Sequence, residues 1–281
     1  MNAETENVEI RPFTAAHLDE QLKLDVTKAK VTVSPILEEG MRRKNEFWKE
    51  VTQEEEFLGF MAHYRGEPAG FINLLRASLI RYLFAEFKRS DALHVENKCL
   101  YVPPPYVEEH PQESKKIYDA LLSAATKYAK ENGFIGISGI AWQDGVYRPD
   151  RSTYERHGFK VVHEFPEFKI YAVASYPVKQ LNVRYPKVRK DLARVITFGL
   201  PSCPFSLAAK AIAEKVCHTL PNVEYEYIDV WKNPKRALEL GFPGTGPLTI
   251  IDGEFLYWAA NVTHQTLRQK IVQHLKDKGL W

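Results

Sequence analysis

The chain reads as an α/β (α+β) protein built from two units, each a sheet with helices laid against it. Three observations predict this. Short β-branched and aromatic runs alternate with amphipathic helical segments from residue 8 to about residue 175. The texture then changes: YPVKQLNVRYPKVRKDLAR (176–194) carries two prolines and six cations against one carboxylate. After it comes a second succession of strand, helix, strand, helix, strand, strand, helix. A length of 281 residues suits about two domains at the usual size of roughly 150 each. The expected division is 1–175, a basic connector over 176–193, and 194–281.

Taken in order, VEIRPF (8–13) has strand character, and the leucine spacing of AAHLDEQLKLDV (15–26) suits a helix. Ser34-Pro35 supplies an N-cap with proline at the first helical position, opening ILEEGMRRKNEFWKEV. FLGFMAHYRGEPAGFINLL (57–75) is two strands joined by Arg65-Gly66-Glu67-Pro68. Residues 78–91 are an aromatic, basic insertion, and LHVENKCLYV (93–102) is a strand ended by Pro103-Pro104-Pro105. A strong amphipathic helix runs from Ser114 to Lys130, with Ile117, Leu121, Leu122, Ala125 and Tyr128 on one side and Gly133 beyond its end. FIGISGIAW is a strand, RSTYERHGF a helix, and KVVHEFPEFKIYAVAS completes this half. In the second half RVITFGL is a strand and Cys203 to Leu220 a helix. VEYEYIDV is a strand and NPKRALELGF a short helix. LTII and FLYWA form a hairpin about Asp252-Gly253, and THQTLRQKIVQHLKDKGLW closes the chain as a helix.

Composition narrows the function classes. Hydrophobic residues make up 44% and charged residues 26%, as in a globular protein with a full core. A net charge of +2 gives no global field for nucleic acid or an anionic membrane, so the basic run at 176–194 reads as a solvated connector. No apolar run approaches the roughly 20 residues that cross a bilayer. The polar, acidic start MNAETENVEI is unlike a secretion signal. Three scattered cysteines, Cys99, Cys203 and Cys217, make no disulfide framework, and a reducing cytoplasmic setting is expected. The histidines lack cysteine companions at metal-site spacing, so no metal is expected.

Three stretches of the first half carry a family resemblance. Gly70 in EPAGFINLL, the strand CLYVPP, and TYERHGFKVV together resemble the GNAT superfamily of acyl-CoA-dependent N-acyltransferases over about residues 8–175. The resemblance implies a mixed sheet, acetyl-CoA as co-substrate, and a small-molecule amine as acceptor. It places the backbone of Leu100, Tyr101 and Val102 against the pantetheine arm. It gives Tyr154 the proton donated to the departing thiolate, since a phenol of reference pKa about 10 can do this within hydrogen-bond reach. Glu96 takes the place of the base that deprotonates the amine, with His94 on the same strand face. Acceptor contacts are expected from residues 78–91 and from the helix holding Arg42, Arg43 and Trp48. The pyrophosphate motif departs from the family: Lys116 and Tyr118 stand where its glycines belong, and the preceding loop carries Glu108, Glu109 and Glu113. Lys115 and Lys116 are then the candidates to meet the phosphates.

In the second half, SCPFS followed by LELGFPGTGPLTIIDGEF resembles thioredoxin and glutaredoxin folds, with Pro247 at the place of their cis-proline. At a helix N-terminus the Cys203 thiol is expected to have a lowered pKa and act as a nucleophile. Ser206 replaces the second cysteine, so the chemistry would be monothiol, with low-molecular-weight thiols as partners. Three functions follow: an N-acyltransferase with a fused monothiol thioredoxin-like module, a thiol-redox or ligand-binding protein whose GNAT half is degenerate and non-catalytic, or a non-catalytic interaction protein in which both sites are degenerate.

Overall fold

The structure, a computed structural model, describes residues 8–19, 34–51, 53, 56–64, 66–96, 111–143, 149–184, 188–258 and 262–281. Cys99, Leu100, Tyr101, Val102, the triple proline, Glu108 and Glu109 lie outside the described residues, as does most of the helix expected over 15–26. Two compact units emerge. One holds Met1–Thr32, Trp48–Ile80 and Ala85–Leu181, and the other Val33–Phe47, Arg81–Phe84 and Asn182–Trp281. The two expected sheets are both present, one of seven strands and one of four.

The first unit is a seven-stranded sheet in the order β1-β2-β3-β4-β5-β7-β6. Its strands are β1 (Val8–Thr14), β2 (Phe57–Tyr64), β3 (Glu67–Arg76), β4 (Ala92–Glu96), β5 (Gly136–Trp142), β6 (Lys160–Phe165) and β7 (Ile170–Ala174). Pairing is antiparallel throughout except between β4 and β5. Helix α1 spans Pro35–Val51, most of it in the second unit, whereas α2 (Pro111–Glu131) and α3 (Arg151–Arg156) belong to the first. The α2 stripe expected from the sequence does bury: Ile117, Tyr118, Leu121, Leu122 and Ala125 pack with Ile72, Leu74, Leu93 and Val95 in one core. Gly133, at φ +74, ends this helix in a conformation that costs other residues a Cβ clash. For α1, the Ser34 hydroxyl accepts from the Leu37 amide at 3.3 Å, as the Ser-Pro start implies.

In the second unit the strands are β8 (Ala193–Gly199), β9 (Val223–Asp229), β10 (Leu248–Ile251) and β11 (Glu254–Trp258), in the order β11-β10-β8-β9. Only β8 and β9 are parallel. Helices α4 (Ser206–Cys217), α5 (Pro234–Glu239) and α6 (His264–Asp277) complete it. Ala209, Ala213, Val216 and Cys217 of α4 meet Leu267, Ile271 and Leu275 of α6 in its core. The hairpin turn uses positive φ at Asp252 and Gly253, +49 and +92, which matches the twist of paired strands.

Two expectations are corrected here. The helix expected from Cys203 starts at Ser206, so Cys203 sits in the turn ahead of it. The carbonyl of Leu200 accepts from the Cys203 amide at 3.2 Å and from the Ser206 hydroxyl at 2.7 Å, and this closes the turn before the helical ladder begins. The aromatic insertion, expected to meet an acceptor, is largely core. Tyr82, Leu83, Phe84 and Phe87 are buried, because these rings and aliphatics remove more area from water inside than they could around a small ligand.

Candidate functional site

In the first unit, the parallel pairing of β4 with β5 covers Ala92–His94 against Gly136–Ser138 and stops there among the described residues. Among the described residues Val95 and Glu96 pair with β3 and Gly139–Ala141 with β7, while Trp142 pairs with β7 and also bridges Asp150. The two central strands therefore part after His94 and Ser138. Tyr154 is set at that opening. Its carrier α3 is capped by Asp150, whose carboxylate accepts from the Thr153 amide at 2.7 Å. The same short helix is tied to α2 by Arg156 and His157, each 3.0 Å from Asp119. So fixed, the fully buried Tyr154 packs edge-on against Phe159, with ring centroids 4.9 Å apart. Its hydroxyl donates to the carbonyl of Ile140 at 3.4 Å, on the stretch of β5 that β4 has left.

On the other sheet face from α2, successive strands line up in rows. One row runs Phe13, Gly59, Asn73, Glu96, and the next includes Leu75, His94 and Ser138. His94 Nδ1 and Ser138 Oγ share a hydrogen bond of 2.8 Å, both side chains being buried. Glu96 is placed by register alone, directly across from Asn73. Lys115 and Lys116 are exposed near the start of α2, whereas Tyr118 lies in the core, 3% exposed. Thus Tyr154 and Glu96 come to the region where β4 and β5 separate, while the two lysines lie on the surface of the crossover helix.

In the second unit, the carboxy end of β8, the carboxy end of β9 and the start of β10 share one end of the sheet. That end carries the Cys203 turn, the Asp229–Trp231 loop, and the Gly246–Pro247 peptide, which is cis. Cys203 is half-buried and Cys217 buried, neither in a disulfide. Burial pushes the Cys217 thiol up to about 12. Tyr227 is held against the chain just before the turn, since a Cβ on Gly199 would lie 2.2 Å from its hydroxyl. Burial, then the Asp229 carboxylate, push the Tyr227 phenol up to about 12; Arg43 opposes this and Cys203 adds to it. Arg43, on α1, lies 4.0 Å from Asp229, and the Asp229 carboxylate also accepts from the Trp231 and Lys232 amides at 3.1 Å each. Phe47 of α1 meets the Trp231 ring edge-on at 4.9 Å, and the Arg81 guanidinium lies 4.3 Å from the same ring. Arg43, expected at an acceptor site, instead joins the surroundings of the thiol turn; Arg42 pairs with Glu39 and Glu46 on its own helix.

A thioredoxin from Methanocaldococcus jannaschii is 35% identical to this chain over 83 residues, which is 95% of that protein and 29% of this one. Over this part, the chain belongs to the thioredoxin family. The thioredoxin module has its thiol turn and cis-proline at one sheet end, but Ser206 stands in place of a resolving cysteine, and its hydroxyl is engaged by Leu200. No protein-family model matches the chain. Among solved structures, the PaiA N-acetyltransferase of Thermoplasma acidophilum, in complex with coenzyme A, aligns over 61% of this chain and 99% of its own, at 16% identity and a TM-score of 0.39. An aminoglycoside N-acetyltransferase aligns over 60% and 96%, at 14% identity and a TM-score of 0.41. A GNAT-family acetyltransferase of Streptococcus pneumoniae aligns over 62% and 99%, at 16% identity and 0.37. Among the described residues no helix is long and apolar enough to cross a membrane.

Sequence reading passed over Asn73, Gly59, Gly40, Tyr227 and Asp229. A polar residue inside the apolar run FINLL, a glycine inside the strand run FLGFM and a glycine inside an otherwise regular helix were the signals available for the first three. Nothing local marks Tyr227 or Asp229.

Proposed function

We propose that this protein is an N-acyltransferase that moves an acetyl group from acetyl-CoA to a small amine, and that it carries a monothiol thioredoxin module. The observation that carries the reading is the parting of β4 from β5 with the Tyr154 hydroxyl at the opening. Parted strands leave backbone amides and carbonyls unpaired by sheet, and a pantetheine arm can satisfy them. In this reading the backbone of Leu100, Tyr101 and Val102 meets that arm, and the exposed Lys115 and Lys116 meet the phosphates. Acetyl-CoA supplies the activated acyl carbon when bound. Glu96 removes the proton from the attacking amine, directly or through water, and Tyr154 donates its phenolic proton to the departing sulfur. Acyl transfer belongs to residues 1–175, residues 176–193 connect, and residues 194–281 carry the thiol.

A second reading is favoured by one observation. Tyr118, at a glycine position of the family's pyrophosphate motif, fills the core, and its helix is clamped through Asp119 to Arg156 and His157. If that region no longer admits a pyrophosphate, the first unit is a ligand-binding body and the chemistry rests on Cys203, through a mixed disulfide with a small thiol. Calorimetry with acetyl-CoA and coenzyme A separates the two. Binding together with acetylation of a primary amine supports transfer; no heat at millimolar nucleotide overturns it.

A further inference from the structure

The loop over 241–247, which leads into β10 at the thiol end of the thioredoxin module, holds three glycines and two prolines. Every one of its residues is buried. So are Ser202 and Pro204, on either side of the half-buried Cys203. Loops of this composition ordinarily run over a protein's surface, where water satisfies their backbone. A thiol that exchanges with disulfides on other proteins also needs the ground around it open, because the partner's chain must lie alongside for the sulfurs to meet. Here that ground is taken.

The cover belongs to the same compact unit: Val33–Phe47, which holds most of α1, and the short stretch Arg81–Phe84. Gly40, Arg43, Lys44 and Phe47 stand at i, i+3, i+4 and i+7, which is one face of a helix. Gly40 touches the turn with its backbone, since a Cβ there would lie 2.0 Å from the Pro204 carbonyl oxygen. Lys44 is 1% exposed. Arg43 lies 4.0 Å from Asp229, and Phe47 meets Trp231 edge-on at 4.9 Å. From the second stretch, Tyr82 is fully buried and meets Trp231 and Phe242 edge-on, at 6.3 and 5.7 Å. Phe242 belongs to the buried loop and packs on Phe198 of β8 at 5.2 Å. Helix α1 therefore covers the turn ahead of α4, and Tyr82 covers the loop ahead of β10.

We propose that the thiol end of the module is a docking surface filled by this chain's own α1 and Arg81–Phe84, so that Cys203 exchanges with small disulfides and not with disulfides borne on folded proteins. This rests on the monothiol reading for its chemistry. In the exchange the Cys203 thiolate, its proton given to solvent, attacks one sulfur of the disulfide. The new S–S bond forms as the old one breaks, and the displaced thiolate leaves and takes up a proton. A small disulfide needs only the exposed part of Cys203, whereas a folded partner needs the places that Gly40 and Tyr82 hold. To test this, the full chain is given cysteamine 2-pyridyl disulfide or a small folded carrier protein bearing one surface 2-pyridyl disulfide, and adducts at Cys203 are timed by mass spectrometry. A peptide of residues 199–206 sets the intrinsic ratio of the two reagents. The full chain should prefer the small disulfide at least tenfold more than the peptide does. Arg43→Ala combined with Phe47→Ala should cut that preference at least fivefold. The same ratio in chain and peptide overturns the proposal and leaves the monothiol reading standing. A folded double variant that keeps the full preference also overturns it, since α1 would not be the cover. Where the double variant does not fold, the comparison of chain with peptide decides. No adduct at Cys203 with the small disulfide sinks the proposal and the monothiol reading together.

Discussion

A Cβ built on Gly40 would lie 2.0 Å from the carbonyl oxygen of Pro204, so the middle of α1 rests directly on the turn that carries Cys203. Glycine inside a helix is normally about 1 kcal/mol worse than alanine. Here the backbone oxygen cannot step aside, so the usual sign reverses. Gly40→Ala should destabilise the protein by about 1–3 kcal/mol, as overpacking does. Thermal denaturation checks this, and a variant that melts at or above the wild-type temperature would show that α1 does not rest there.

Reaction of the two described cysteines should separate cleanly. Cys203 is half-buried in a turn, whereas burial lifts the Cys217 thiol to about 12 and leaves almost no thiolate at neutral pH. Iodoacetamide near pH 7 should therefore modify Cys203 first, and glutathione disulfide should leave a lasting mixed disulfide there, because Ser206 cannot resolve it. Adduct mapping by mass spectrometry reads the order. Equal labelling of both sites would make the Cys203 turn purely structural.

Acid should reach the thioredoxin module through Asp252. Burial raises this carboxyl, but hydrogen bonds from Lys278, His274 and the Arg194 amide outweigh it and hold it below the ordinary range. The bonds measure 2.7, 2.9 and 3.0 Å. A lowered native pKa contributes stability that is complete above the unfolded value, about 3.9, and is lost as pH falls through the native one. Asp252→Asn should cost about 2 kcal/mol at pH 7 and flatten the stability loss below about pH 4. Denaturant titrations at pH 7 and pH 3 measure both; parallel wild-type and variant pH profiles would contradict the assignment.

Tyr154→Phe removes a hydroxyl that donates to the Ile140 carbonyl at 3.4 Å, and leaves the ring against Phe159 in place. If the phenol protonates the departing thiolate, turnover should fall by on the order of 10²–10⁴-fold with acetyl-CoA affinity nearly unchanged. Steady-state kinetics with a saturating amine tests this. Unchanged turnover would confine Tyr154 to packing.

Local chemistry in the sequence determined most of the elements. The strand and helix periods, the Ser34-Pro35 start, Gly133 past α2 and the Asp252-Gly253 turn each act within a few residues, and each lies where it was expected. So did the thioredoxin-like order of the second half, with the cis peptide at Pro247. What only the tertiary structure decided involves partners far apart in the chain. Leu200 closes the Cys203 turn and delays its helix to Ser206, and Gly40 is glycine because of a carbonyl more than 160 residues later. The row Phe13, Gly59, Asn73, Glu96 exists only through register across four strands. Periodicity records which face a residue takes, because that depends on neighbours two to four positions away. It holds no record of which strand lies alongside, since that is settled by burial and pairing summed over the whole sheet.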